Sequence, residues 1–572
     1  MAVTNAEIAE IFNKMADMLE IKGENPFKVR AYRNAARTVQ NMGKSLEDWV
    51  KEGKDLTKLP GIGKDLAEAI TEIVTTKKFS KLEALKAQMP EGLDKLLAIE
   101  GLGPKRIRQL YDAFHITTFD DLVRVAQSGE IYKLKGFGPK LVEKILKGIT
   151  LQKKAGHRFR FDLAKPYAEA LRSYLKDFKG VEKVEIAGSY RRRKETVGDL
   201  DILVVAKNWQ EVSDWFVAFE KVKEVVSKGP TRSTVILEND LQVDLRSVAA
   251  ESYGSALHYF TGSKAHNIKI RKMAVDRGWK INEYGIFEDE KRLGGESEEE
   301  LYKLMGLCYI APELREDRGE IEACMQQRLP DLITPQDIRG DLHMHTKATD
   351  GKATLRDMVE AARDLGYEYI AITDHSRHLS VAHGLDEKRL KEEMAAIDRL
   401  NEKMEGITIL KGIECDILED GSMDLSDDIL KELDVVLAAV HYKFNLSKTE
   451  QTRRVVKALQ NPHVDILAHP TGRVIGHRNP YELDMDEIFR VCKAEGKVLE
   501  LNAQPERLDL NDVYLKTAKE EGIKISIATD AHDPMSLRFM EYGLNQARRG
   551  WLEAEDVINT LPLPDLKALL AR

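Results

Sequence analysis

The pattern of apolar positions changes along the chain, and each part predicts a different kind of structure. Residues 1–150 place apolar side chains at the period of a helix, as at Leu66, Ala69, Ile70 and Ile73. From residue 158, helical segments alternate with short apolar strands. After residue 340, short apolar runs end repeatedly in histidine or carboxylate residues. This order predicts a multidomain α/β protein with a helical N-terminal region.

Length and composition agree with several soluble domains. The chain has 572 residues, of which 42% are hydrophobic and 32% charged. The N-terminus lacks a basic start and an apolar core, and no apolar run could span a bilayer, so we expect neither a signal peptide nor a membrane segment. The 4 cysteines are scattered without a CxxC pair, which favours a reducing cytoplasm over a disulfide framework.

Charge and histidine are unevenly distributed. The balance of Lys and Arg over Asp and Glu is +4 for residues 1–150, 0 for 151–339 and −12 for 340–572, and ten of the 14 histidines follow residue 340. The mildly basic front suggests contact with polyanions, and the acidic, histidine-rich final third suggests metal ligation.

Three segments of the front region share a Gly-apolar-Gly pattern followed by lysine. Glycines allow a tight turn, and the helix that follows then presents backbone N–H groups that attract phosphate. One copy would be an ordinary turn, but three copies resemble the helix-hairpin-helix motif, which binds the DNA backbone without reading its sequence. The candidate DNA-binding residues are Gly61, Gly63, Lys64, Gly101, Gly103, Lys105, Gly136, Gly138 and Lys140.

The middle region predicts a helix, two strands and a hairpin. Apolar patterning places the helix at 165–178, the strands at 184–187 and 201–205, and the hairpin strands at 233–237 and 241–246.

Asp199 and Asp201 stand one residue apart at the start of an apolar, β-branched run. Residues i and i+2 of a strand point to the same face, so we expect the two carboxylates to project together. Carboxylates held that close repel each other unless a cation lies between them, which favours a divalent-metal site. Gly188, Ser189 and Arg192 precede the pair and are typical of a phosphate-binding loop.

A third carboxylate, Asp244, lies inside the second strand of the predicted hairpin. A buried lone carboxylate is costly, so the position predicts a metal or a cationic partner, although a partly exposed strand residue would explain it equally well. If this strand lies beside Asp199 and Asp201, three carboxylates converge. Such a set can hold two Mg²⁺ ions for in-line phosphoryl or nucleotidyl transfer.

These residues, in this order, resemble the nucleotidyltransferase signature of family X DNA polymerases, the relatives of DNA polymerase beta. Two later segments, 259–263 and 278–285, match family segments that hold the incoming nucleotide, so the resemblance covers about residues 1–310. It implies that the catalytic metal ligands are Asp199, Asp201 and Asp244. It implies nucleotide-binding roles for Gly188, Ser189, Arg192, Gly198, Tyr259, Phe260, Gly262, Lys264, Asn267 and Arg271.

The same resemblance implies how the nucleotide is held. Ser189 and Arg192 would contact the triphosphate, and Tyr259 and Phe260 would lie against the sugar, where their bulk excludes a 2′-hydroxyl. Composition alone would instead make the two aromatic residues part of a core.

The final third repeats short strands whose carboxyl ends carry histidine or acidic residues. Repeated βα units with chemistry at the strand ends predict a TIM-like (β/α)7 barrel with its site at that face. His343 and His345 stand two residues apart, as do Asp530 and His532, so each pair faces one side. Mixed nitrogen and oxygen ligation suits Mn²⁺, Zn²⁺ or Fe²⁺.

This part resembles the PHP (polymerase and histidinol phosphatase) domain over about residues 337–572. The resemblance implies a phosphoesterase site of three metal ions in which Glu414 bridges two of them. All of the family's ligand positions are filled, by His343, His345, Asp350, His375, Glu414, His441, His469, Asp530 and His532.

Six segments follow from these patterns. They are a helical DNA-binding domain at 1–90, a helix-hairpin-helix region at 91–150, a nucleotidyltransferase palm at 151–250, a small nucleotide-binding subdomain at 251–310, a linker at 311–336 and a PHP domain at 337–572.

The combination resembles bacterial family X DNA polymerases along nearly the whole chain. It implies a repair polymerase that extends primed or gapped DNA with dNTPs, using Mg²⁺ or Mn²⁺, and a 3′-5′ exonuclease in the PHP domain. Cleavage at AP sites stays open. We expect a cytoplasmic, nucleoid-associated monomer. Two alternatives remain, a small-molecule phosphatase in the PHP half and a non-catalytic scaffold that binds DNA ends.

One departure from the family concerns Ala69. In relatives with lyase activity, the helix after the first Gly-x-Gly carries a lysine that forms a Schiff base at this position. Alanine cannot form an imine, so we expect no lyase activity of that type.

A second departure is Lys264, where beta-like relatives carry an acidic residue. A lysine adds positive charge near the nucleotide, so Lys264→Ala should weaken the binding of nucleotide triphosphates, by about two- to fivefold for one exposed charge. Titration of a non-hydrolysable dNTP analogue would measure this, and unchanged affinity would contradict the prediction.

Overall fold

The computed structural model describes residues 3, 5–42, 45–86, 88, 93, 96, 99, 102–139, 141, 142, 145, 146 and 158–571. The chain divides into two compact units, Met1–Arg158 and Phe159–Arg572. No helix within these described ranges is both long and apolar enough to cross a membrane.

The first unit is helical. Its described helices are Asn5–Lys22 (α1), Pro26–Gln40 (α2), Leu46–Lys51 (α3), Lys64–Thr76 (α4), Ser80–Lys86 (α5), Pro104–Phe114 (α6) and Phe119–Gln127 (α7). Two apolar clusters hold it together, one around Phe12 and Ile70 and the other around Ile107 and Leu122. Ala69 is buried in the first cluster.

The predicted palm is built on a five-stranded sheet of order β2-β4-β7-β6-β5. β4 and β7 are parallel, and the other neighbouring strands are antiparallel. The elements of this region are Phe159–Arg160 (β1), Phe161–Lys176 (α8), Val181–Ile186 (β2), Gly188–Arg191 (α9), Thr196–Val197 (β3), Asp199–Ala206 (β4), Trp209–Val217 (α10), Val222–Ser227 (β5), Arg232–Leu237 (β6) and Gln242–Val248 (β7).

The small subdomain that follows packs helices against a three-stranded antiparallel sheet. Its elements are Tyr253–Thr261 (α11), Lys264–Val275 (α12), Trp279–Asn282 (β8), Gly285–Glu288 (β9), Lys291–Gly294 (β10) and Glu298–Leu304 (α13).

The segment 311–336, expected to be a linker, is integrated into this subdomain. It contains the short helix Glu320–Met325 (α14), and Leu314 and Ile321 are buried in the subdomain's apolar cluster. Cys324 joins Cys308 in a disulfide. Cys415 and Cys492 are free, so the chain has this one pair and not the disulfide framework that the sequence disfavoured. The spacing along the chain does not reveal the pair, because it does not show that α14 folds back onto residue 308.

The final region is a barrel of seven parallel strands that run in sequence order. A single parallel bridge between Met344 and Ala531 connects the segments that follow its first and last strands. The strands are Gly340–Asp341 (β11), Tyr369–Ile372 (β12), Thr408–Asp416 (β13), Val435–Ala439 (β14), Ile466–Leu467 (β15), Val498–Asn502 (β16) and Ile525–Ala528 (β17). The helices are Leu355–Asp364 (α15), Glu387–Asn401 (α16), Asp427–Leu430 (α17), Lys448–Leu459 (α18), Met485–Glu495 (α19), Asp512–Glu521 (α20), Met540–Arg549 (α21) and Leu563–Leu570 (α22).

A buried ion pair holds α13 against the segment 311–336. Arg315 is 0% exposed and contacts the carboxylate of Glu298. Arg191 approaches the same carboxylate at 2.7 Å from the palm. Burial would raise the pKa of Glu298, but Arg315 and Arg191 outweigh it and lower the pKa to about 2.

Replacing Arg315 should therefore destabilise the second unit. Arg315→Met leaves Glu298 buried with one partner fewer, and we expect a loss of about 3 kcal/mol in the free energy of unfolding. A urea titration followed by tryptophan fluorescence would measure it. Arg490→Met, which removes an exposed ion pair with Glu487, is the matched control and should not shift the transition. Equal midpoints for the two variants would contradict the prediction.

Candidate active sites

Three acidic side chains meet at one edge of the palm sheet. β4 and β7 pair in parallel, and the register sets Asp201 opposite Asp244. Asp199 lies two residues before Asp201 on β4, so its side chain leaves the same face of the strand. Asp199 is exposed, Asp201 is half-buried and Asp244 is buried. The structure thus brings together the three carboxylates singled out in the sequence.

Burial and the two neighbouring carboxylates change the ionisation of Asp201. Burial, followed by the charges of Asp199 and Asp244, raises the pKa of Asp201 to about 7. A divalent cation between the carboxylates would relieve this repulsion, and an all-oxygen donor set suits a hard ion. The residues present therefore fit a divalent metal.

Asp244 has protein partners that sequence reasoning missed. Arg232 Nη2 lies 3.2 Å from Asp244 Oδ1, and Gln242 Nε2 donates to Oδ2 at 2.9 Å. The Thr234 hydroxyl donates to Oδ1. Thr234 stands opposite Asp244 in the register of β6 and β7, so the hairpin pattern could have indicated it.

A left-handed glycine brings the phosphate-binding loop against the carboxylates. Gly188 has φ +63°, and a Cβ there would lie 2.9 Å from Asp201 Oδ2, so only glycine fits. Ser189 follows in the single turn of α9, and Gly198 directly precedes β4.

Arg192, which the resemblance implies binds the triphosphate, forms hydrogen bonds to other groups of the protein. Its Nε donates to Glu316 Oε1 at 3.0 Å, and its Nη1 donates to the Thr261 carbonyl at 2.5 Å. A guanidinium carries five N–H donors, so these two bonds leave donors for phosphate oxygens. Glu316 was missed because it lies in the segment expected to be a linker.

Two partly exposed aromatic rings lie at the end of α11. The rings of Tyr259 and Phe260 meet edge to face with centroids 4.9 Å apart. The guanidinium of Arg271 lies 4.9 Å from the centre of the Tyr259 ring, and that of Arg246 lies 4.3 Å from the centre of the Phe260 ring. Asn267 Nδ2 donates to the Tyr259 carbonyl at 2.7 Å. Both rings are thus partly exposed and contact polar groups, although Phe260 also packs against the apolar cluster that contains Leu203 and Leu257.

The turn after these rings leads into α12. Gly262 has φ +70° and joins Ser263 through a cis peptide bond. Lys264 is exposed at the first position of α12.

In the barrel, Glu414 lies at the centre of the histidine cluster. It is buried at the carboxyl-terminal part of β13. Its carboxylate oxygens lie close to ring nitrogens of five histidines, at 2.8 Å for His375, 2.8 Å for His469, 3.1 Å for His441, 3.4 Å for His343 and 3.5 Å for His345.

Two aspartates complete the cluster. Asp350 Oδ2 lies 3.3 Å from His532 Nε2 and 3.5 Å from His375 Nε2. Asp530 Oδ1 lies 3.2 Å from His345 Nε2. The structure therefore gathers all nine residues that the sequence marked as ligands.

The cluster offers three overlapping sets of ligand atoms. Among the described residues, the atoms of each set lie within 4.8 Å of one another, and the sets share His345 and His375. They are His345, Asp350, His375 and His532; His343, His345 and Asp530; and His375, Glu414 and His441.

Unpartnered buried atoms in this cluster fit metal ions. Among the described residues, His345 Nδ1 and His469 Nδ1 are buried without a hydrogen-bond partner. A cation held between such donors would satisfy them, and a mixed imidazole and carboxylate set suits a transition metal.

Carboxylates outside the cluster orient its histidines. Glu500 Oε1 lies 2.6 Å from His343 Nδ1, and Asp416 Oδ1 lies 2.7 Å from His441 Nδ1. Such partners fix the tautomer that leaves the other nitrogen for a metal. Neither was assigned from the sequence, although Asp416 stands two residues after Glu414 on the same strand face.

In the helical unit, the Gly-apolar-Gly turns expose their glycines and bury the residue between them. Ile62, Leu102 and Phe137 are buried, and the described glycines Gly61, Gly63, Gly103, Gly136 and Gly138 are exposed. Gly63 is the N-cap residue of α4, which begins with Lys64. Gly103 is the N-cap residue of α6, which begins with Pro104 and continues with Lys105. Gly101 and Lys140 lie outside the described residues.

Five family models match parts of the chain between residues 3 and 504. They are described as a helix-hairpin-helix domain at residues 3–79, a SAM-like helix-hairpin-helix tandem at 93–150, a DNA polymerase beta palm at 163–267, a DNA polymerase beta thumb at 256–316 and a PHP domain at 341–504.

Curated relatives match either the whole chain or its final third. The DNA polymerase/3′-5′ exonuclease PolX of Bacillus subtilis (strain 168) is 41% identical over 99% of both chains. A probable phosphatase of Thermoanaerobacter sp. (strain X514) is 30% identical over 38% of this chain and 89% of its own length. Since the first match spans the palm carboxylates and the barrel cluster alike, the chain belongs to the family X DNA polymerases that carry a C-terminal PHP domain.

Proposed function

We propose that this chain extends a DNA primer in gapped or primed duplexes and trims DNA 3′ ends at a second site. The convergence of Asp199, Asp201 and Asp244 beside the Gly188-Ser189 loop carries the first activity. The nine-residue cluster of the barrel carries the second. A relative named for both activities, similar over its full length, supports the pairing.

In the palm, the three carboxylates would hold Mg²⁺ or Mn²⁺. Ions bound there supply activation of the attacking 3′-oxygen and neutralisation of charge on the leaving pyrophosphate. The residues of this chain position the reactants: Ser189 and Arg192 bind the triphosphate, and Tyr259 and Phe260 contact the sugar. The 3′-hydroxyl then attacks the α-phosphate in line, and pyrophosphate leaves.

In the barrel, the nine ligands would hold Mn²⁺, Zn²⁺ or Fe²⁺, with three ions suggested by the three overlapping ligand sets. These ions supply a water-derived nucleophile and charge stabilisation for phosphodiester hydrolysis. Glu500 and Asp416 keep His343 and His441 in the orientation that ligation requires.

The exposed glycine turns of the helical unit would grip the DNA backbone through N–H groups and the adjacent lysines. Contacts of this kind are independent of sequence, which suits a repair enzyme acting at gaps. We further propose that the protein acts as a cytoplasmic, nucleoid-associated monomer.

The palm assignment predicts that Asp199→Ala/Asp201→Ala abolishes synthesis. Metal ions contribute several kcal/mol to stabilising the transition state, so primer extension on gapped DNA should fall by roughly three orders of magnitude or more. Exonuclease activity of the same preparation should persist and shows that the protein is folded. Asp214→Ala, which removes an exposed carboxylate of α10 paired with Lys228, is the control. Full synthesis by the double variant would refute the assignment.

The barrel assignment predicts the reciprocal result for His343→Ala/His345→Ala. Loss of two ligands should lower 3′ trimming of an oligonucleotide by at least about a hundredfold, while primer extension stays within about twofold. The exposed His477→Ala serves as control. Because relatives of this domain are named probable phosphatases, hydrolysis of an amino-alcohol phosphate should be measured beside the oligonucleotide. Faster hydrolysis of the small ester would favour a phosphatase.

A further inference from the structure

A cluster of largely buried charged side chains lies where the palm, the segment 311–336 and the barrel meet. We call it the interdomain charge cluster. Four of its members are cations and two are anions, and they are Arg192, Lys194, Glu316, Arg318, Asp512 and Arg549. It lies outside both candidate metal sites.

Arg549 is the link from the barrel to this cluster. It is the last residue of α21, and its side chain is 1% exposed. Its Nη1 donates to the carbonyl of Arg192 at 2.7 Å and to Glu316 Oε1 at 3.1 Å, and its Nη2 donates to Asp512 Oδ2 at 2.6 Å. One barrel residue therefore bonds to the main chain of the phosphate-binding loop and to the carboxylate that holds the loop's arginine.

Glu316 connects Arg549 to the proposed nucleotide-binding residue Arg192. Its Oε1 accepts from Arg549 and, at 3.0 Å, from Arg192 Nε. Arg192 also donates to the carbonyl of Thr261, which ends the helix carrying Tyr259 and Phe260. A continuous chain of charge-assisted bonds thus runs from the barrel to the sugar-binding helix.

Positive charges around Glu316 stabilise its ionised form and so strengthen its bonds to Arg549 and Arg192. Burial would raise the pKa of Glu316, but Arg549, Lys194 and Arg192 outweigh it and hold the pKa well below its usual range. Since the carboxylate is buried and shared by two arginines, removing one arginine alters the geometry of the other. The position of the Arg192 guanidinium consequently depends on a residue of the barrel.

We propose that Arg549 and Glu316 are positioning residues of the polymerase reaction, fixing the Arg192 guanidinium so that its remaining N–H groups meet the triphosphate. This inference rests on the proposed polymerase function. It gives the PHP barrel a part in nucleotide binding that is separate from its own metal cluster.

The test compares steady-state insertion of one dNTP into gapped DNA by the full-length protein and by Arg549→Met, Arg549→Lys and Glu316→Gln. Loss of a positioning contact should raise KM for the dNTP by about five- to tenfold and change kcat less than about twofold. Arg549→Lys keeps the charge but not the planar fork, so its KM should lie between those of the wild type and Arg549→Met. Exonuclease activity should stay within about twofold in all three variants.

Arg548→Met is the matched control. Arg548 precedes Arg549 on α21 and crosses the same boundary through an ion pair with Glu313 at 2.9 Å, and the described contacts of its side chain are with Glu313, Leu332 and Ile333. Arg548→Met should leave KM for the dNTP within about twofold of the wild-type value. If Arg549→Met unfolds, as judged by thermal denaturation and loss of exonuclease activity, the KM of Glu316→Gln compared with that of the wild type tests the inference instead.

Three results would overturn the inference. They are a wild-type KM in folded Arg549→Met and Glu316→Gln, a fall in kcat without a change in KM, and an equal rise in KM for Arg548→Met. No insertion by the wild-type protein would instead refute the proposed polymerase function, so the two failures are distinguishable.

Discussion

Repulsion between carboxylates that the fold forces together is the constraint on which the candidate palm site depends. In the palm, the register of β4 and β7 sets Asp201 opposite Asp244, and burial with these neighbours raises the pKa of Asp201 to about 7. In the barrel, seven parallel strands direct histidines and acids to one end, around Glu414. The palm arrangement is unfavourable without added positive charge, which is the property that a metal site needs. In the barrel, the surrounding histidines lower the pKa of Glu414 well below its usual range, although burial would raise it.

In the interdomain charge cluster, the protein itself supplies the positive charge that the carboxylates need. Asp512 and Glu316 are also buried, but arginines surround them and hold the pKa of each well below its usual range. The direction of the pKa shift therefore separates carboxylates that the protein neutralises itself from Asp201, which it does not. The same distinction separates Glu298, paired with Arg315 and Arg191, from Asp201.

Local patterning predicted much of the fold, and family resemblance supplied the two sets of candidate ligands. Alternation along β4 indicated that Asp199 and Asp201 share a face, and the repeated strand ends after residue 340 indicated the barrel and the side of its site. Residues that act through others were missed. Glu500 has no spacing that distinguishes it from other acids on buried strands. Asp416 shares a strand face with Glu414, but that spacing alone does not show that it contacts His441. Glu316 lies in a segment whose prolines favoured a linker.

The sequence by itself determined which side chains could carry chemistry, because strand and helix periods fix the face on which neighbours along the chain lie. Tertiary structure decided which of these distant residues meet. It placed Thr234 and Arg232 against Asp244, joined Cys308 to Cys324, and connected Arg192 to Arg549 through Glu316. Such contacts join segments far apart in the chain, and their geometry depends on how whole domains pack, which no local period encodes.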